Sequence, residues 1–199
     1  MLINDNILGA VSMNDFVNLL GWVIKGYEFT LLLWFLVTQL PKYGGALFYA
    51  RGRTLKSLKH HEMHSCFMTI LCMFVFHVFA SEIEQFFVSP FIAELNSKIK
   101  VFYISGMIIQ FIFLIMIFTY HRARQCLFSR TTRVCMFTTV VVMTLQFIQL
   151  IARGYFDYHA LVMTYFVAVW VCNIVAVSAM SIYPIRQTLV YFKQRGALV

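Results

Sequence analysis

The run VFYISGMIIQFIFLIMIFTY, residues 101–120, followed at once by HRAR, residues 121–124, decides the fold. It carries no charged side chain, and a helix of that length, rising 1.5 Å per residue, covers the roughly 30 Å of hydrocarbon in a bilayer. Backbone polar groups in hydrocarbon must bond to one another, which only helices and closed barrels achieve. The run is continuously apolar instead of alternating over about ten residues, so it reads as a helix and not as a barrel strand. Outward from it lie four more runs of the same kind, at 16–38, 65–87, 134–152 and 160–183, with Pro184 predicted to stop the last.

The expected fold class is therefore all-α: a polytopic transmembrane helical bundle of about five spans, forming one domain over residues 1–199. Composition agrees, with 61% apolar and 12% charged residues against about half and one quarter in a soluble domain. Residues 1–18 hold Asp5 and Asp15 but neither Lys nor Arg. They lack the basic start of a cleavable signal peptide, and the first span is expected to stay in place.

The HRAR that closes the quoted run also gives the orientation, because short connecting segments rich in Lys and Arg are retained in the cytoplasm. Lys42, Arg51, Arg53, Lys56 and Lys59 fall between spans one and two. Arg122, Arg124, Arg130 and Arg133 fall between three and four, and Arg186, Lys193 and Arg195 lie in the tail, making 12 of the 16 basic residues. The other side receives Lys98, Lys100 and Arg153 together with six of the eight acids. The predicted topology is N-out and C-in, in a cell membrane, the inner membrane for a bacterial source. No cysteine falls in an exterior loop, so no disulfide is expected. In segment 44–64 Leu47, Phe48, Leu55 and Leu58 recur among basic residues, which predicts a helix lying on the cytoplasmic surface against anionic lipid headgroups.

Few residues offer chemistry. The stretch His60, His61, Glu62, Met63, His64 resembles the H-E-x-x-H metalloprotease pattern but fails it, because Ser65 stands four residues after His61. His60 and His64 share a helix face, and His121 and Cys126 lie on the same membrane side, so these four are the weak metal candidates. The simpler reading makes them part of an interfacial basic patch. Haem between His64 and His121 is conceivable, but only His77 lies deep in a span. No cofactor is expected. Phosphate-binding loops, dinucleotide fingerprints, nucleophile elbows and magnesium-binding acid clusters are all missing from the sequence, and the longest cytoplasmic segments are too short for a catalytic domain.

Polar residues inside spans are costly in lipid and face other helices, water or a ligand. Thr69, His77, Ser81 and Glu84 share one face of span two; Thr139, Gln146, Gln149 and Arg153 share one face of span four. Glu84 and Arg153 fall at similar depth and are predicted to pair, and Lys25 and Glu28 fit a local ion pair. The stripes either hydrogen-bond across a packed bundle or line a hydrated path with His77 able to change charge near neutral pH. On span five Ala168, Cys172 and Ala176, with Asn173 beside them, offer a small-residue face to another helix of the same chain or of a second copy.

Three functions follow as expectations. The first is a non-enzymatic, oligomeric membrane subunit, an anchor or sensor that docks a cytosolic partner through its basic inner face, at Arg51, Arg53, Lys56, Lys59, Arg122 and Arg124. An effector of an antiviral or stress system would suit that layout. The second is an ion or proton channel lined by spans two and four. The third is an intramembrane haem or metal redox protein. The expected partners are membrane lipids, further copies of the chain and a cytosolic protein, with no direct nucleic-acid binding.

Overall fold

The computed structural model describes residues 2–49, 57–88 and 95–196, and within these the side chains of residues 2–17, 81, 84–88 and 95–97 are outside the description. The described residues form helices and no strand. In chain order they are α1 (Leu2–Tyr43), α2 (Ala46–Tyr49), α3 (Leu58–Val88), α4 (Leu95–Arg124), α5 (Arg130–Gly154) and α6 (Val162–Gly196). All but the single turn of α2 contain a stretch long and apolar enough to cross a membrane. The protein is a multi-pass helical membrane protein.

The spans starting near 101 and 134 fall inside α4 and α5 with a few residues to spare. Every long helix extends beyond its apolar run, α1 from Leu2 to Tyr43 and α4 back to Leu95, and two of the extensions bear on the site. α3 begins at Leu58 and takes in the whole His-rich stretch. α6 does not stop at Pro184 but runs on to Gly196 with Pro184 inside it. Proline removes one i→i−4 bond, which a helix tolerates where neighbours support the backbone. Here Tyr183 packs on Trp34 and Phe35 of α1, and Trp34 Nε1 donates to Thr188 Oγ1 at 3.1 Å, one turn past the proline.

Of the surface helix predicted over 44–64, the described residues form the single turn of α2 and the start of α3, and residues 50–56 lie outside the description. Gly44, at φ +54°, turns the chain back after α1, a conformation glycine adopts without steric cost. α2 then enters the bundle: Leu47 is fully buried and Phe48 packs edge-on to Phe67 of α3. Tyr120 Oη donates to Phe48 O at 3.0 Å, and Arg124 Nη1 to Tyr49 O at 3.1 Å. Apolar burial at Leu47 outweighs the interfacial placement that its basic neighbours suggested, and Leu58 to His64 belong to α3.

α4 ends by two bonds that satisfy its last carbonyls, Gln125 N to Arg122 O and Cys126 N to His121 O, with Gln125 at φ +52°. Four residues later Ser129 caps α5 by accepting from Thr132 N at 3.1 Å. This tight connection brings the basic ends of α3, α4 and α5 together, and Arg186 of α6 joins them by donating to Glu62 Oε2 at 2.7 Å. We refer to this as the basic end. The main apolar core lies in the half next to it, where Phe35, Phe67, Ile70, Ile117 and Met180 are completely buried.

α5 is the central strut of the other half. Gly106 of α4 lets Gln146 lie against its backbone, so close that a Cβ there would stand 2.7 Å from Gln146 Nε2. On its other side, Thr131 Oγ1 donates to Ala179 O at 3.1 Å and Cys135 Sγ to Ala176 O at 3.9 Å. The small-residue face of α6 thus receives, at Ala176, α5 of the same chain.

Candidate functional site: a polar cavity inside the bundle

Between α3, α4, α5 and α6 lies a cavity of about 220 Å³. Its polar wall is built one helix at a time. α3 contributes His77, α4 Gln110, α5 Thr138, Thr139 and Gln146, and α6 Asn173 and Tyr165. Phe76, Phe102 and Phe113 supply apolar wall. Polar side chains spaced along four apolar helices are costly facing lipid, and here they converge. The volume has room for several water molecules, and each water needs two to four polar partners. The cavity has such groups to offer: Gln110 Oε1 and Gln146 Oε1 are buried with no hydrogen-bond partner among the described residues.

One ionisable pair stands at the wall. Glu28 of α1 has no solvent exposure, and both its carboxylate oxygens accept from His77 Nδ1, at 2.8 and 2.9 Å. Span one therefore contributes the acid of the site. Glu28 reaches across to His77, while Lys25 Nζ lies 4.5 Å from the centroid of the Trp22 ring. A buried carboxylate without a partner would be strongly destabilising, so each member of the pair fixes the other.

The sequence-derived candidates divide. His77 and Gln146 meet at the cavity with Thr139. Gln149 does not reach it: Nε2 donates to Leu161 O at 2.7 Å and closes the α5–α6 connection. Arg153 is half-buried, its Nε without a partner among the described residues. The side chains of Ser81 and Glu84 lie outside the described residues, and so does the predicted pair of Glu84 with Arg153. Among the docking candidates Arg51, Arg53 and Lys56 also lie outside; Lys59 and Arg122 are exposed. Arg124 is held internally by Tyr49 O and by the rings of Tyr49 and Tyr120.

Three of the four metal candidates are engaged separately. His60 packs edge-on to Tyr43, and Cys126 Sγ donates to His61 O at 3.5 Å. Burial pushes the Cys126 thiol up to about 11. His121 uses both ring nitrogens, at Ile117 O and Ser65 Oγ. His64 is buried with no hydrogen bond of good geometry from either ring nitrogen among the described residues, although the Leu47 backbone lies beside it. No three His, Cys, Asp or Glu side chains among the described residues converge as metal ligands.

Sequence reasoning missed three parts of this arrangement. Gln110 was detectable as the one amide in an apolar stretch of span three. The partnership of Glu28 with His77 joins two spans, and no local spacing reports it. The same holds for a cluster of buried hydroxyls at the basic end, Ser65, Thr69, Ser129 and Thr132, in which Thr132 Oγ1 lies 2.7 to 2.9 Å from the other three. No protein-family model matches the chain, and neither a curated protein nor a solved structure is significantly similar to it.

Proposed function

We propose that this chain is a non-enzymatic membrane protein that conducts protons through its interior, along a hydrated path formed by the cavity between α3, α4, α5 and α6. The observation that carries the reading is a fully buried carboxylate, Glu28, hydrogen-bonded to His77 on the wall of a polar space inside the bundle. Histidine changes charge near neutral pH, and a carboxylate beside it can take or give the proton. The amides of Gln110 and Gln146 and the hydroxyls of Thr138 and Thr139 would order water between the pair and the membrane surfaces. Intramembrane ionisable groups facing a cavity are the usual constituents of proton relays.

Purified protein in liposomes, loaded with a pH-reporting dye and driven by a potassium diffusion potential, tests this. Proton entry is expected, and His77→Ala and Gln146→Leu should each lower it about tenfold or more, equivalent to about 1.4 kcal/mol in the barrier. Flux equal to that of empty liposomes would remove the reading.

The basic end favours a second role. Lys59, Arg122, Arg130, Arg133, Lys193 and Arg195 are all exposed there. With the N-out, C-in topology they face the cytoplasm, suited to anionic headgroups and to an acidic cytosolic partner. In this role the chain is an oligomeric docking subunit, of a stress or antiviral system among others. Loss of a co-purifying cytosolic protein on neutralising Arg51, Arg53 and Lys56, with flux unchanged, would separate docking from conduction.

A further inference from the structure

We infer that the hydroxyl cluster at the basic end is a proton-binding site, which holds one proton more than its neutral groups carry and places it on His121. The cluster joins three helices. Ser65 and Thr69 come from α3, His121 from the end of α4, and Ser129 and Thr132 from the first turn of α5; all are buried, His121 with 2% of its surface exposed.

Hydrogens can be counted. Ser65 Oγ lies 2.9 Å from His121 Nε2 and 2.7 Å from Thr132 Oγ1. Thr132 Oγ1 lies 2.8 Å from Thr69 Oγ1 and 2.9 Å from Ser129 Oγ, and Thr69 Oγ1 lies 2.8 Å from Ser65 O. As two-centre hydrogen bonds these five contacts need five hydrogens, while the four hydroxyls supply four. The nearby backbone donors do not fill the gap, because Ser129 N already donates to Ser65 Oγ and Thr132 N to Ser129 Oγ. His121 Nδ1, 2.9 Å from Ile117 O, spends its hydrogen on that carbonyl.

A neutral His121 therefore leaves two lone pairs facing each other at hydrogen-bond distance somewhere in the cluster, at a cost that low dielectric raises. A second ring hydrogen removes the conflict. Nε2 then donates to Ser65 Oγ, Ser65 to Thr132, Thr132 to Thr69, and Thr69 to Ser65 O, while Ser129 donates to Thr132. No hydroxyl donates twice or accepts more than two bonds, even with Cys66 Sγ donating to Ser129 Oγ at 3.7 Å.

Several groups around the ring bear on its charge. His64 interacts with it electrostatically, the Ile117 carbonyl accepts from its Nδ1, and the charged or titratable groups nearby are His61 and Cys66 on α3, Tyr120 and Arg124 on α4, Cys126 in the connection, and Arg133 on α5, which donates to the carbonyl of Phe128. Phe128 stacks on the imidazole at 4.6 Å. Burial opposes the extra proton, and the acceptors at Ile117 O and Ser65 Oγ favour it. A surface depression lined by His121, Arg122, Gln125 and Cys126 offers the proton a route to solvent.

The test uses the full-length protein in nanodiscs, with nitrogen-15 histidine and the His121 resonances assigned by their loss in His121→Gln. Thr69→Val deletes two of the contacts and one hydrogen without touching His121, leaving three contacts for three hydroxyl hydrogens. It should lower the His121 titration midpoint by about one pH unit or more. Thr69→Ser keeps the count and should leave the midpoint in place. An unchanged or raised midpoint in Thr69→Val overturns the inference. Should that variant not fold, the unaltered chain decides: at about pH 6 both ring nitrogens of His121 should bear hydrogen, and a single protonated nitrogen there contradicts the count. Neither result depends on proton flux through the cavity.

Discussion

The two halves of this bundle treat buried polarity in opposite ways. Next to the basic end, hydroxyls and His121 interlock in a continuous hydrogen-bonded cluster, set against a core in which Phe35, Phe67 and Ile117 are wholly buried. In the other half the helices part around a cavity, and the amide oxygens of Gln110 and Gln146 are buried with no partner among the described residues. In the packed half the cluster is built from short hydroxyls close to backbone, so hydroxyl meets hydroxyl, while His64 beside it is buried with no hydrogen-bond partner among the described residues. The open half uses long amides around Gly106, and their remaining bonds are left for water.

The largest expected effect lies in the packed half. Phe67→Ala removes a fully buried ring between Phe35 and Phe48 and should cost about 3–5 kcal/mol, measured as loss of thermal stability in detergent. Phe102→Ala, at the cavity wall, should cost clearly less; equal losses would erase the contrast between the halves. Next comes the ion pair. His77→Leu leaves the Glu28 carboxylate buried without its partner and should cost about 3 kcal/mol or more, whereas the double change with Glu28→Gln should recover most of that. Failure of the double variant to recover would mean that Glu28 and His77 act separately.

Smaller effects sharpen the picture. Gly106→Ala pushes the Gln146 amide away from α4, at a cost of about 1–3 kcal/mol, and Gln146→Ala in the same chain should relieve it. At the bottom of the scale stands Arg186→Gln. Its bond to Glu62 is short but solvent-accessible, so its loss should change stability by no more than about 1 kcal/mol, and less in high salt.

How much of this was readable from sequence depended on whether the signal lies along the chain or across it. The uninterrupted apolar runs at 101–120 and 134–152 located the middles of two helices, because charge-free length is what a bilayer demands, although α4 reaches back to Leu95. The ends of α3 and α6 escaped, since hydropathy falls at His60 and at Arg186 while backbone hydrogen bonding continues. Gln146 was visible as part of a polar stripe on one helix face. Gln149 belongs to the same stripe, yet it lies one turn nearer the α5–α6 connection and bonds the carbonyl of Leu161. Along the chain the neighbour that spacing offers Glu28 is Lys25, three residues away. The bond of Glu28 to His77 depends on how α1 leans on α3, which is set by Phe29 against Phe74 and Phe35 against Phe67.

The difference between the halves can be observed directly by water-edited solid-state NMR of the chain in lipid bilayers, which ranks side chains by contact with mobile water. The signals of His77, Gln146 and Asn173 should build up rapidly from water while those of Phe67 and Thr132 stay dark. Equal, slow build-up at all five would show a dry cavity and contradict the hydrated path.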